Sequence, residues 1–436
     1  MPDVQAPQGS DRVDPRPPGT RSRTLARRFP RAFLLAGILG PGLIAANAGN
    51  DAGGIATYSA AGARYGYQLL WVLIVITVAL IVVQEMCARL GSATGMGFTD
   101  LVREHFGVRV TAFIVIALLV ANLGTTFSEF VGIGAAAELL HVPRFVAVPA
   151  AAVVLWVLVV FGSYKLVERA FLLMALVFIA YPVAAVLAHP DWGGIGRGLV
   201  VPSVPRSTAG VTLIVALIGT TITPYMQLFL QSSVAEKAVR PEDYVYEQID
   251  VVAGSLFSNF VALAIMVATA ATLFARGVEV QSASDAARAL EPVAGSLART
   301  LFAVGLLGAC LLAAPVLALT SAYSVTEALG VEKGISQDFR RAPVFMGLFT
   351  GMIAISMALA LLPGIPFTTT LLLIQVLDAV ALPVVLFSLL RLTNDRELMG
   401  ARVNTPLFNA IGFLTAGVVI TLSLILLVLS LATPFG

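Results

Sequence analysis

The stretch Asn47-Ala48-Gly49-Asn50-Asp51-Ala52-Gly53-Gly54 lies inside an apolar run that extends from about residue 32 to 65. Its three glycines, two asparagines and one aspartate make a poor helix interior. Glycine costs backbone entropy there, and Asn and Asp side chains compete for backbone groups. In hydrocarbon every backbone polar group needs a protein partner, so irregular backbone at membrane depth must line an enclosed cavity. A second stretch of this kind, Gly219-Thr220-Thr221-Ile222-Thr223-Pro224-Tyr225-Met226-Gln227, interrupts the apolar run 209–238. Pro224 there removes a donor and clashes with the preceding turn.

Outward from these two stretches, apolar runs recur at about 32–65, 67–89, 109–138, 144–162, 167–188, 209–238, 247–275, 295–328, 342–363, 366–391 and 406–433. Runs of this length are long enough to span a bilayer. The chain of 436 residues is 58% hydrophobic and only 12% charged, too little polar surface to cover soluble domains. A soluble enzyme, a secreted disulfide scaffold and a nucleic-acid binder are thereby excluded. The net charge of +2 identifies no partner. Cys87 and Cys310 sit in apolar runs with no disulfide or zinc spacing, and read as small core residues.

The interrupted runs are the first and the sixth, five apart. Paired Gly/Pro-interrupted helices at matching places in two halves point to an inverted-repeat transporter with its site at the bilayer midplane. The sequence therefore predicts an all-α membrane protein of 11 transmembrane helices, a 5+5 inverted repeat with helices 1 and 6 broken. Residues 32–188 form the first repeat, 209–391 the second, and 406–433 an extra helix. Kinks used only for packing are the competing explanation. Two of them at matched positions, one holding an acid, argue against it.

Residues 1–31 are rich in Pro, Gly and Ser, hold seven arginines, and read as a disordered basic tail. With that tail inside, 20 Lys and Arg residues lie on the inner side and 7 on the outer. The positive-inside rule then puts the N-terminus in the cytoplasm and the C-terminus outside, in a multi-pass protein of the cell membrane. Two amphipathic stretches, Phe98 to Phe106 and Ala283 to Leu290, read as connectors off the membrane axis.

Asp51 sets the substrate class. An acid at mid-membrane is costly and is a functional candidate by default. Carbonyls exposed by the break, together with a carboxylate, make an oxygen cage for a cation. Thr220, Thr223 and Gln227 offer further oxygens, as does Gln375 in the tenth run, for which an interhelical hydrogen bond is the alternative. Gly54 leaves room beside the acid. Hard oxygens suit Mg²⁺, Ca²⁺ or Mn²⁺, and Mg²⁺ usually keeps several waters. Met226, three residues past Thr223, would add sulfur if it faced the cavity. Glu129 is either a carboxylate behind the ligands or a proton carrier, with pairing to Thr125 or Thr126 as the structural alternative. Asp378 lies one turn from Gln375, and Asn259 in the seventh run is a polar helix contact or a supporting donor. Asn47, Asn50 and Tyr225 complete the supporting candidates. Glu85 and Asp250 read as structural groups at cytoplasmic helix ends.

These residues resemble the Nramp family of divalent-metal transporters, which have the LeuT fold. Gly40-Pro41-Gly42 followed by Asp51 matches the family's first helix, and Gly66-Tyr67, Leu69-Leu70-Trp71, Ala88-Arg89-Leu90-Gly91 and Ala93-Thr94-Gly95 match the family's next segments. Asp395-Arg396-Glu397-Leu398-Met399-Gly400 is similar to the family's segment after the tenth helix. The departures fall at the site. The family's Asp-Pro-Gly-Asn is here Asp51-Ala52-Gly53-Gly54, and its Met-Pro-His is Thr223-Pro224-Tyr225. The family's Asp-x-x-Glu is Thr126-Phe127-Ser128-Glu129, and its buried arginine aligns with Phe345. The histidines, His105, His141 and His189, all fall outside the apolar runs. The pattern resembles the Nramp-related magnesium transporters.

The expectation is import of Mg²⁺, and of Mn²⁺ with it, by alternating access without proton coupling. The ion is the transported substrate, and no permanently bound cofactor is implied. The partners expected are the divalent ion and the lipid bilayer, with no nucleic acid and no obligatory protein partner. A proton-coupled Mn²⁺/Fe²⁺ transporter of the Nramp type is the alternative. An amino-acid transporter on the same fold is disfavoured, because Asp51 would repel a substrate carboxylate. A metal sensor is disfavoured by the lack of a signalling domain.

Overall fold

The computed structural model describes residues 40–205, 207–239, 243–277, 280, 283–362 and 381–432, and among them all regular structure is helical. Pro41 opens α1 (Pro41–Ala48), where its missing N–H is no loss. After a short break, α2 (Ala52–Tyr65) completes the first apolar run. Then come α3 (Leu70–Thr94), α4 (Phe98–Leu139) and α5 (Arg144–Phe161). Next, α6 (Tyr164–Leu176) passes through one 3₁₀ turn into α7 (Ala180–Leu187). A short α8 (Trp192–Val200) leads to the sixth run, again in two pieces, α9 (Thr208–Thr221) and α10 (Pro224–Glu236). The rest are α11 (Tyr244–Thr272), α12 (Ala283–Leu329), α13 (Pro343–Leu361), α14 (Ala381–Thr393), the single-turn α15 (Arg396–Met399) and α16 (Pro406–Ala432).

Among the described residues eight stretches are long and apolar enough to cross a membrane. The first run divides into two short helices, the tenth is described only from Ala381 and the eleventh counts only as Pro406–Thr421, which is why eight qualify and not the expected eleven. The basic tail, Gln375 and Asp378 lie outside the described residues.

The two longest helices, α4 with 42 residues and α12 with 47, pack along each other. α11 packs on α1, α2 and α3, and α10 on α3. α4 bends at Gly107, whose φ of 80° and ψ of 172° favour glycine. The stretch Phe98 to Phe106 precedes that bend and forms the expected connector. Ala283 to Leu290 does not. It is continuous with α12, which carries its helix unbroken to Leu329.

Buried polar groups join the helix ends. Asp250 on α11 accepts the backbone N–H groups of Gly40, Gly42 and Leu43 at 2.9, 2.7 and 3.2 Å, and so caps the start of α1. Lys237 pairs with Glu168 at 3.2 Å. Arg89 pairs with Glu85 at 3.3 Å and donates to the carbonyls of Arg402 and Val403, tying α3 to the loop before α16.

Candidate functional site

The first break is narrower than the sequence predicts. α1 continues through Asn47 and Ala48, and α2 resumes at Ala52, leaving only Gly49, Asn50 and Asp51 between them. The reason is Asp51 itself. Its backbone is extended (φ −69°, ψ 179°), and its Oδ1 accepts the Gly54 N–H at 2.7 Å, the geometry of an N-cap. Gly53 and Gly54 are therefore helical. The second break is narrower still. Ile222 and Thr223 leave helical geometry, and Pro224 occupies the first position of α10.

The two breaks meet. The Tyr225 hydroxyl faces the Ala48 carbonyl at 2.8 Å and Asp51 Oδ2 at 3.2 Å. Met226 lies against Gly49: a Cβ at Gly49 would come within 2.6 Å of its sulfur. Met226 thus faces the break. A Cβ at Gly54 would lie 3.2 Å from Thr220 Oγ1 and 3.3 Å from Asp51 Oδ1. Thr220 and Asp51 therefore meet beside Gly54, Met226 lies against Gly49, and Tyr225 reaches the other carboxylate oxygen.

Glu129 on α4 closes the site from behind. It is fully buried, and both its oxygens accept the Ala52 N–H at 3.2 Å. A carboxylate at the first turn of α2 also meets the positive end of that helix. Ser128 Oγ donates to it at 3.3 Å, and the Cys310 thiol on α12 donates as well. Thr125 and Thr126 donate instead to the carbonyls of Ala121 and Asn122, so the pairing posed as the structural alternative is absent. Cys310 escaped the sequence reading, because a cysteine in an apolar run carries no local sign of its neighbours.

Three amides, two at the first break and one on α11, are oriented in the same way. Asn47 Nδ2 donates to Leu43 O at 2.8 Å, Asn50 Nδ2 to Ser258 O at 3.1 Å, and Asn259 Nδ2 to Ser255 O at 3.2 Å. A carbonyl only accepts, which fixes the orientation of each amide. The Oδ1 atoms of Asn47, Asn50 and Asn259 are left buried without a hydrogen-bond partner in the protein, and so is Thr223 Oγ1. Such groups cost about 1–3 kcal/mol each unless something else satisfies them.

Gln227 departs from its expected place. Its Oε1 accepts from the Cys87 thiol at 3.8 Å, so the side chain faces α3 and not Asp51. One turn of α10 carries Tyr225, Met226 and Gln227 round the helix, and only the first two meet the break. Ser258, which donates to Ala46 O at 2.7 Å and joins Asn50, was invisible in an apolar run. So was Tyr58, whose hydroxyl joins Thr221 at 3.0 Å. Phe345 is buried with its ring 4.8 Å from that of Tyr323. Among the described residues no three His, Cys, Asp or Glu side chains cluster as a metal cage.

The chain was compared with known proteins. A family model described as natural resistance-associated macrophage protein-like (Nramp) matches residues 42–429. The divalent metal cation transporter MntH of Deinococcus radiodurans is 30% identical over 443 residues, covering 97% of this chain and 96% of the relative. MntH of Pectobacterium carotovorum is 30% identical over 420 residues, covering 94% and 98%. Among solved structures, a mutant of the Eremococcus coleocola manganese transporter superposes with a TM-score of 0.70 at 20% identity, covering 91% of this chain and 86% of that one. MhsT in complex with L-phenylalanine superposes at 0.55 with 13% identity, covering 89% and 97%. These last two likenesses concern the fold alone. By the family model and the full-length relatives, the chain belongs to the Nramp family.

Proposed function

We propose that this protein carries divalent cations across the cell membrane by alternating access, taking up Mg²⁺, and Mn²⁺ with it, without moving protons alongside. The N-terminus lies in the cytoplasm and the C-terminus outside. Asp51 is the charged ligand, with Thr220, Thr223 and the space at Gly54 around the ion or its waters. Glu129 adds negative charge behind Ala52. Gln375 and Asp378 belong to the same proposal as residues of the tenth helix.

The observation that carries this reading is the meeting of the two breaks at Asp51, with buried acceptor oxygens on Asn47 and Asn50 that no protein donor satisfies. A partly hydrated cation presents water hydrogens outward, and acceptor oxygens are what those hydrogens need. Mg²⁺ sheds its water reluctantly and is usually bound through one or two carboxylates. The transported proton of the alternative would need a carrier: the three histidines stand away from the break, which leaves Glu129 as the carboxylate for that role. His105 precedes the Gly107 bend, while His141 and His189 sit at helix ends with positive φ.

A second reading, Mn²⁺ as the principal substrate with proton coupling, draws on two observations. The Met226 sulfur lies on Gly49, and the full-length relatives are named as divalent metal transporters of the MntH type. Uptake into proteoliposomes decides between them. Mg²⁺ and Mn²⁺ are supplied separately, with a pH-sensitive dye inside the vesicles. Uptake of Mg²⁺ without internal acidification is expected. Manganese-only uptake accompanied by acidification overturns the first reading in favour of the second.

A further inference from the structure

We infer that Tyr225 sets the affinity of the site, its hydroxyl competing with the cation for Asp51 and Ala48. This rests on the reading of Asp51 as the metal ligand. A hydroxyl has one proton, and that of Tyr225 faces two acceptors, Ala48 O at 2.8 Å and Asp51 Oδ2 at 3.2 Å. One is a backbone carbonyl at the end of α1 and the other a carboxylate oxygen at the start of α2. Both are hard oxygens of the kind a divalent cation selects. The other carboxylate oxygen is held by the Gly54 N–H at 2.7 Å. Both carboxylate oxygens are thus engaged by protein donors, and the one facing Tyr225 has the longer contact. An arriving cation takes Oδ2 from Tyr225 and turns the phenol wholly towards Ala48, or away from both.

The phenol is rigidly placed for this role. Tyr225 is buried and sits in the first turn of α10, directly after Pro224. The Thr320 hydroxyl reaches its carbonyl at 3.4 Å. Burial leaves the ring little room to swing clear, and the competition is built into the break. The hydrogen bond displaced is the same for every ion, so the phenol lowers the affinity of the site for all of them alike.

The test is calorimetric titration of Mn²⁺ into the purified full-length wild type and the variants Tyr225→Phe and Asp51→Ala. Tyr225→Phe is expected to bind Mn²⁺ about tenfold more tightly than wild type, a gain of about 1.4 kcal/mol. Unchanged or weaker binding overturns the inference, since a phenol that helps to hold the ion gives that result. If wild type and Asp51→Ala bind alike, the metal-site reading falls and the inference with it. If Asp51→Ala loses binding while Tyr225→Phe gains none, the inference alone falls. A wild-type measurement guards against a variant that does not fold. The Mn²⁺-induced infrared difference spectrum, with isotopically labelled tyrosine, is expected to contain a shifted tyrosine C–O band. A spectrum without any tyrosine band overturns the inference.

Discussion

Replacing Asp51 by Asn separates the fold from the charge. Asp51 Oδ1 accepts the Gly54 N–H at 2.7 Å, and an Asn amide oxygen keeps that bond. Oδ2 faces the Tyr225 hydroxyl at 3.2 Å, and an amide nitrogen placed there donates to the phenol oxygen while the phenol still donates to Ala48. Asn and Asp are comparable N-caps, so the folding cost is below about 1 kcal/mol. The loss of charge is far larger. Two unit charges about 4 Å apart interact by about 4 kcal/mol at an effective dielectric of about 20, and a divalent ion doubles this to about 8 kcal/mol. Dehydration of the ion offsets part of that gain. If half remains, the variant loses about 4 kcal/mol, roughly a thousandfold in affinity. The assay pairs thermal denaturation with Mn²⁺ titration of the purified protein. Expected is a melting temperature within a few degrees of wild type together with binding too weak to measure. A folded Asp51→Asn protein that binds within tenfold of wild type refutes the reasoning, because the ion would then owe little to this carboxylate.

Glu129→Gln removes the carboxyl group behind Asp51 while leaving an oxygen for the Ala52 N–H. Metal affinity is expected to fall at least tenfold with little loss of stability, measured by the same titration and melting. Asp250→Ala strips the cap from three backbone donors at the start of α1. Hydrogen exchange over Gly40 to Leu43 is expected to accelerate at least tenfold, while exchange in α4 is unchanged. Thr223→Met puts a thioether where an unpartnered hydroxyl now sits. Competition assays should show Cd²⁺ binding strengthened relative to Mg²⁺, since sulfur favours the softer ion.

The interrupted helices were legible because their residues break rules that hold elsewhere in the chain. A Gly/Asn/Asp cluster and a proline have no ordinary place in a spanning helix, and both breaks occur within the stretches expected. Their widths were not legible. The glycines at 53 and 54 looked like part of the interruption, yet Asp51 caps Gly54 and restores the helix one residue later. Rotation about the helix axis was hidden too. Tyr225, Met226 and Gln227 are consecutive and all buried, so burial alone offers no amphipathic stripe to say which faces the break. Met226 faces Gly49, whereas Gln227 faces Cys87. The Glu129 partner is a backbone N–H 77 residues away, and no side-chain pattern announces a backbone donor.

The same carboxylate that begins α2 is the group an arriving ion would seek. Cargo recognition and the mechanical start of a helix are therefore not separate parts joined by a relay. If transport runs as proposed, an ion that draws Asp51 towards itself pulls on the first turn of α2 directly, and loading is felt by that helix at the atom where it occurs.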